Sequence, residues 1–256
     1  MTPRTHGWIH RVCIAIALLA PTVASGGTIY WNMNDLTTPT SNAVGNLTVS
    51  AVSQGNTTTT GGTTTSVSSD YTFLLNSATT TASGSFNLIF SAKGGALDTG
   101  SSSYLAVTLT PAAGYSGTVN TIGFGSRSTA TGPTTLSLRS SADGYAADVA
   151  SFSPSTTSNW AYFTNSFVNP VQFSSSSPLT LRLYGSGGSS VTSGNWRIDD
   201  LQLNVVVVPE PAAVVLGVLA VAGATIVARR VAPGRKVQGK QCGGLEPDLR
   251  SSSCSS

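Results

Sequence analysis

The chain has 256 residues and a formal net charge of +3, yet only 9% of its residues are charged and 40% are hydrophobic. Between Gly27 and Val208 five basic residues stand against seven acidic ones, a net of −2, so the positive excess lies at the two ends and a nucleic-acid partner, which needs clustered Lys and Arg, is excluded for the centre. All three cysteines (Cys13, Cys242, Cys254) and both histidines (His6, His10) lie outside that centre, which excludes Ser-His-Asp or Cys-His catalysis, a zinc site of the usual kind and a disulfide there.

Residues 1–26 read as a secretory signal. Arg4 and Arg11 mark a polar start, residues 12–20 are apolar, and Pro21 is followed by the small residues Ala24, Ser25, Gly26 and Gly27. A bilayer core takes roughly 20 apolar residues, so this run is too short to span one. Cleavage is expected between Ala24 and Gly27.

Residues 27–208 are predicted to form an extracellular all-β domain, an antiparallel sandwich of jelly-roll type without disulfides. Candidate strands fall at 28–32, 43–53, 71–75, 85–91, 104–110, 118–125, 134–139, 160–167, 179–184 and 196–206, with Gly, Ser, Thr, Asn and Pro between them. Alternation supports several. Leu105, Val107 and Leu109 share one face of their run against Tyr104, Ala106, Thr108 and Thr110, and Leu179, Leu181 and Leu183 oppose Thr180 and Arg182. Residues 57–69 hold ten Ser or Thr in 13 positions and are expected to form a long loop, having almost nothing to bury.

Few residues in this domain suit chemistry. Asp199 and Asp200 adjoin, and in a regular strand they point to opposite faces and form no carboxylate pair. Either could ligate calcium, a hard ion that takes carboxylate and carbonyl oxygen; the competing role is to cap or bond a nearby loop. Asp143 and Asp148 flank Gly144-Tyr145, a turn signal first of all. The domain has no Glu, and nothing marks two aspartates as a hydrolytic pair, so it is read as non-enzymatic. Trp160, Trp196 and Tyr145 are the candidates for stacking on sugar rings, with core packing as the competing role.

The C-terminal region has a distinct pattern. Pro209-Glu210-Pro211 is followed by residues 211–228 without a charge, then by Arg229-Arg230. A helix of 18 residues covers roughly 27 Å, close to the bilayer core, and Pro suits its first turn. Arg229, Arg230, Arg235 and Lys236 would then stay cytoplasmic, leaving the domain outside. Residues 231–256 are polar, rich in Gly and Ser, and expected to be a disordered tail.

That order of parts resembles the PEP-CTERM sorting signal over residues 209–230. The resemblance implies an exported protein recognised by an exosortase, a membrane-embedded cysteine protease, through Pro209, Glu210 and Pro211, with Arg229 and Arg230 as the stop. It also implies association with biofilm and exopolysaccharide. Such signals normally end soon after the basic residues, whereas this chain continues for 26 more. A second resemblance, carried by residues 139–145 and by Gly194-Asn-Trp-Arg-Ile-Asp-Asp-Leu-Gln-Leu203, is to the jelly-roll domains of exported surface proteins. The expected function is a structural or adhesive component of an extracellular polysaccharide layer, membrane-anchored before processing. The alternative is a carbohydrate-binding module using aromatic side chains, with or without calcium; a polysaccharide-acting enzyme ranks behind both.

Overall fold

Where the sequence alternates between apolar and polar, the chain forms strands. A computed structural model describes residues 24–33, 39–57, 63–64, 68–82, 87–91, 94–190 and 194–210. The predicted signal up to residue 23, most of the predicted loop 57–69, and the predicted membrane helix and tail at 211–256 lie outside the described residues. The chain divides into two units, Met1–Leu216 and Gly217–Ser256, and the second falls wholly outside them. Among the described residues no helix is long and apolar enough to cross a membrane.

The strands in chain order are β1 (Ser25–Trp31), β2 (Ser41–Asn42), β3 (Leu47–Val49), β4 (Ser53–Gly55), β5 (Thr63–Thr64), β6 (Thr72–Leu75), β7 (Ala78–Thr81) and β8 (Asn87–Ser91), then β9 (Tyr104–Pro111), β10 (Tyr115–Ser128), β11 (Thr135–Ser140), β12 (Asp148–Phe152), β13 (Ala161–Ser174), β14 (Leu179–Ser186) and β15 (Asn195–Pro209). Among the described residues the helical piece is a single 3-10 turn, Ser141–Asp143. One sheet runs β13-β10-β15-β1-β2, with β8 on the far end of β15 and β5 on β8. The other runs β12-β11-β14-β9-β3, with β4 also on β9. From β9 onward each strand crosses to the opposite sheet, save for the β11–β12 pair within one sheet. That is the double Greek key of a jelly roll.

The core is what the inward faces share. Leu105, Val107 and Leu109 of β9 and Leu179, Leu181 and Leu183 of β14 meet Ile29 and Trp31 of β1 and the inward residues of β15: Trp196, Ile198, Leu201, Leu203, Val205 and Val207. Burial of each stabilises by roughly 1.5–3 kcal/mol, which lets the sandwich stand without a disulfide.

Two expectations are corrected. The run 43–53 is not one strand: Asn46 takes a left-handed conformation (φ 58), Asn42 accepts the Val44 N–H at 3.0 Å, and the chain splits into β2, β3 and β4. Within the predicted loop 57–69, Thr63 and Thr64 form β5 against β8. The pairing also begins before residue 27, since Ser25 and Gly26 oppose Val207 and Val206, and it ends at Pro209 opposite Tyr115. Cleavage after Ala24 keeps both of those first rungs; cleavage after Gly26 removes them.

Candidate functional site

The site grows from a fault in β15. Ile198 and Leu201 both pack into the core, although they are three positions apart and strict alternation would put them on opposite faces. A bulge resolves this: the register against β10 shifts between Gly123↔Gln202 and Gly125↔Asp199, and Asp200 lies at φ 48. Asp199 and Asp200 therefore share the outer face of the sheet, which corrects the opposite-face expectation.

Both carboxyls are fully buried beneath the segment 68–82. Asp200 is a clasp: its Oδ1 accepts the Tyr30 hydroxyl at 2.5 Å and its Oδ2 accepts the Tyr71 hydroxyl at 2.7 Å. Asp199 Oδ1 accepts the Asp200 N–H at 2.9 Å, while its Oδ2 has no hydrogen-bond partner among the described residues. Burial, then the Asp200 charge, pushes the Asp199 carboxyl up to about 8, against smaller offsets from Ser68 and the Asp200 N–H. Burial and the same charge push the Tyr71 and Tyr162 phenols upward too. Asp199 Oδ2 and Ser68 Oγ are both buried here, and the Ser68 hydroxyl lies close enough to Asp199 to favour its charged form. Calcium takes about six to eight oxygens, and among the described residues no group of three or more Asp, Glu, His or Cys gathers to supply them.

Above the clasp, β6 and β7 form a hairpin closed by Asn76 and Ser77, both left-handed (φ 50 and 67) as the favoured two-residue turn requires. It lies on the outer face of the sheet over a second apolar cluster of Tyr30, Tyr71, Phe73 and Trp160, flanked by Leu75, Ala82 and Tyr162. The rings stack closely: Phe73 and Tyr162 are 5.2 Å apart at 17°, Tyr71 and Tyr162 5.8 Å at 25°. Two glycines of β10 make room, since a Cβ at Gly123 would overlap the Tyr162 ring and one at Gly125 the Tyr71 ring.

Beside this cluster runs a groove of about 490 Å³ between the hairpin and the sheet. Its floor follows from strand register. Thr28, Asn204 and Thr121 stand in one row across β1, β15 and β10; Gln202, Gly123 and Thr164 stand in the next, across β15, β10 and β13. Phe73 and Tyr162 form one wall, and among the described residues no carboxylate, amine or guanidinium lines it. The Gln202 Nε2 is buried with no partner among the described residues. The groove can thus offer hydroxyl and amide hydrogen bonds beside the half-buried Tyr162 ring, with no charged side chain among its described lining residues.

The residues expected to bind ligand lie elsewhere. Trp196 is 0% exposed and its Nε1 donates to Ser103 Oγ at 3.3 Å, so it packs the core and presents no face to a ligand. Trp160 is buried in the second cluster with Tyr71 at 6.2 Å and the Arg127 guanidinium 5.4 Å over its ring. Tyr145 is on the opposite sheet, over Arg182. Asp143 accepts two N–H groups of its own turn, and Asp148 pairs with Arg139 at 2.6 Å. Of the sorting motif, Pro209 ends β15 and the Glu210 N–H donates to Gly114 O at 2.8 Å; Pro211, Arg229 and Arg230 lie outside the described residues. The groove residues were missed because Thr, Asn and Gln at alternate outward positions look like any solvated face. The short run Leu75-Asn-Ser-Ala78 was the available signal for the hairpin.

No protein-family model matches the chain, and no curated protein matches it. Among solved structures it is similar to the CBM36-1 domain of a multidomain xylanase from the hindgut metagenome of Trinervitermes trinervoides (15% identity, TM-score 0.31, 56% of this chain and 94% of that one covered). It is also similar to a family 29 carbohydrate-binding module (13% identity, TM-score 0.33, 72% and 90%). A third is TmCBM61 in complex with beta-1,4-galactotriose (14% identity, TM-score 0.24, 48% and 72%). Likenesses this loose assign neither a site nor a ligand.

Proposed function

We propose that the jelly roll is a non-catalytic carbohydrate-binding module and that the groove on its outer face takes a neutral polysaccharide. The observation that carries this is the lining: two rows of uncharged hydroxyl and amide groups beside the stacked Phe73 and Tyr162 rings. A sugar ring presents an apolar face edged by hydroxyls, which matches the partly exposed Tyr162 ring beside a polar floor. The buried Gln202 Nε2 is a donor without a partner among the described residues, and a sugar hydroxyl oxygen can accept from it. Charged ligands gain nothing there. The aspartates, fully buried in the clasp, do not line the groove, which favours binding over hydrolysis.

The test is affinity electrophoresis of the full chain in gels containing mixed-linkage glucan, glucomannan, xylan or galactan. At least one should retard the wild type, and Tyr162→Ala and Gln202→Ala should each weaken that binding by about tenfold, or ~1.4 kcal/mol. Unretarded migration in all four gels, or variants that bind as the wild type does, defeats the reading.

The address is proposed from the flanks: export through residues 1–26, membrane retention through 211–228, and exosortase processing at Pro209-Glu210-Pro211. This would bring the groove to an extracellular polysaccharide layer, where a binding module serves an adhesive or structural role. In a host with an exosortase, the intact mass of the wild type should drop by the C-terminal segment while Glu210→Ala keeps it. Retention of the tail by both would refute processing.

A further inference from the structure

The outer face of the other sheet carries a group of side chains that the groove does not use. Strand β14 turns Arg182 outward between two rings, Tyr104 of β9 and Tyr145 of the turn before β12, with its guanidinium carbon 4.4 Å and 4.1 Å from their centroids. Its Nη1 donates to the Tyr184 hydroxyl at 3.2 Å, and Tyr184 in turn packs on Tyr104 at 5.1 Å. Arg139, the cross-strand neighbour on β11, is already committed: its Nε pairs with Asp148 and its Nη1 donates to Tyr145 O at 3.0 Å. Arg182 has no carboxylate partner among the described residues.

The turn that brings Tyr145 there is strained. Tyr145 lies at φ 64, a conformation that bulky residues rarely adopt and that costs on the order of 1 kcal/mol or more. Its N–H donates to Ser140 O at 2.8 Å, Arg139 holds its carbonyl, and the Asp143 carboxylate accepts the N–H groups of Ala146 and Ala147 at 3.3 and 3.0 Å. A glycine would sit in that position without strain. Keeping a tyrosine there yields one thing the backbone does not need: a ring laid over Arg182.

Both faces of the guanidinium are therefore covered, and a ligand approaches along its edge. Nε is buried without a partner and Nη1 is shared with Tyr184, which leaves the Nη2 side. In-plane N–H donors suit a planar carboxylate, and the partly exposed Tyr145 ring beside them suits a sugar ring. The geometry points to a second saccharide site at Tyr104, Arg182 and Tyr145, one that binds a polysaccharide bearing uronic-acid carboxylates. This site does not depend on the neutral groove. With both in place, the domain joins two polysaccharide strands on opposite faces of one sandwich, an arrangement that cross-links a layer.

The experiment is affinity electrophoresis of the full chain in gels containing polygalacturonate, the same polymer after carboxyl reduction, or polyphosphate. Polygalacturonate should retard the wild type, polyphosphate should not do so comparably, and the reduced polymer should not do so once Tyr162→Ala has removed the groove. Arg182→Gln should lower the affinity at least tenfold. Tyr145→Gly should lower it similarly while leaving the melting temperature unchanged or higher, because glycine relieves the left-handed strain. Tyr162→Ala should bind polygalacturonate as the wild type does, so failure of the groove and failure of this site read out separately. Retardation of Tyr162→Ala by the reduced polymer as strong as by polygalacturonate, or equal retardation of the wild type by polyphosphate, overturns the proposal, the latter by assigning the retention to the basic C-terminal residues. Unchanged binding in both Arg182→Gln and Tyr145→Gly overturns it as well.

Discussion

Trp196→Ala is expected to lower the stability of the folded chain by about 3–5 kcal/mol, out of a total that for domains is typically about 5–15 kcal/mol. The indole is fully enclosed between the sheets, and Gly185 backs it so closely that a Cβ there would lie 2.9 Å from the ring. Strands on both sides hold the space open, so the cavity left by truncation collapses little. The change also takes the indole N–H away from the Ser103 hydroxyl. Tyr162→Ala, by contrast, should cost much less stability and act on binding, because Tyr162 is half-buried on the outer face. Urea unfolding followed by circular dichroism separates the two. A Trp196→Ala chain that loses less than about 1 kcal/mol would show that the residue does not hold the core as described.

The second large effect is on pH. In the folded chain Asp199 keeps its proton up to about pH 8, whereas an unfolded aspartate releases it near pH 3.9. Between those values the unfolded state binds fewer protons than the folded one, so stability falls as pH rises, by up to about 1.4 kcal/mol per unit. The contribution is fully present below the unfolded value and lost as pH climbs through the folded one. Past about pH 10 the buried phenols of Tyr71 and Tyr162 continue the decline in the same direction. The melting temperature should therefore be higher near pH 5 than near pH 8. Asp199→Asn should flatten that difference, since a neutral amide has no proton to lose. Equal slopes in the wild type and the variant, or a wild type that gains stability from pH 5 to 8, would exclude this role for Asp199.

The sandwich was legible where strands are regular. In β14 the leucines at 179, 181 and 183 turn inward and Thr180 and Arg182 outward, as their spacing predicts. What escaped was each place where the period breaks or never shows. Asp199 and Asp200 look like opposite faces until the bulge adds a residue, and only the positions of Ile198 and Leu201 in the core disclose it. Strand β12, Asp148–Phe152, was missed because its inward residues are Ala150 and Phe152, too few for a pattern. Strand β7 is almost wholly threonine and mostly exposed, so its sequence resembles a linker. Trp160 and Trp196 drew attention by residue type, yet both are buried. The groove relies on Thr, Asn and Gln, whose meaning depends on which strand lies beside them. Pairing across the sheet supplies that information, and a single sequence does not.

The place of β15 in the sheet has a mechanical consequence. It is flanked by β10 from Tyr115↔Pro209 to Ser128↔Trp196, and on its other edge by β1 from Ser25↔Val207 to Trp31↔Leu201, then by β8. Tension applied through the chain beyond Glu210 enters this central strand along its own axis. Where the load is held by the body of the sheet and not by the start of β1, which lies beside the end of β15, the hydrogen bonds on both edges resist sliding together, in shear. Pull at that end is thus spread over most of the length of the sheet before any rung yields.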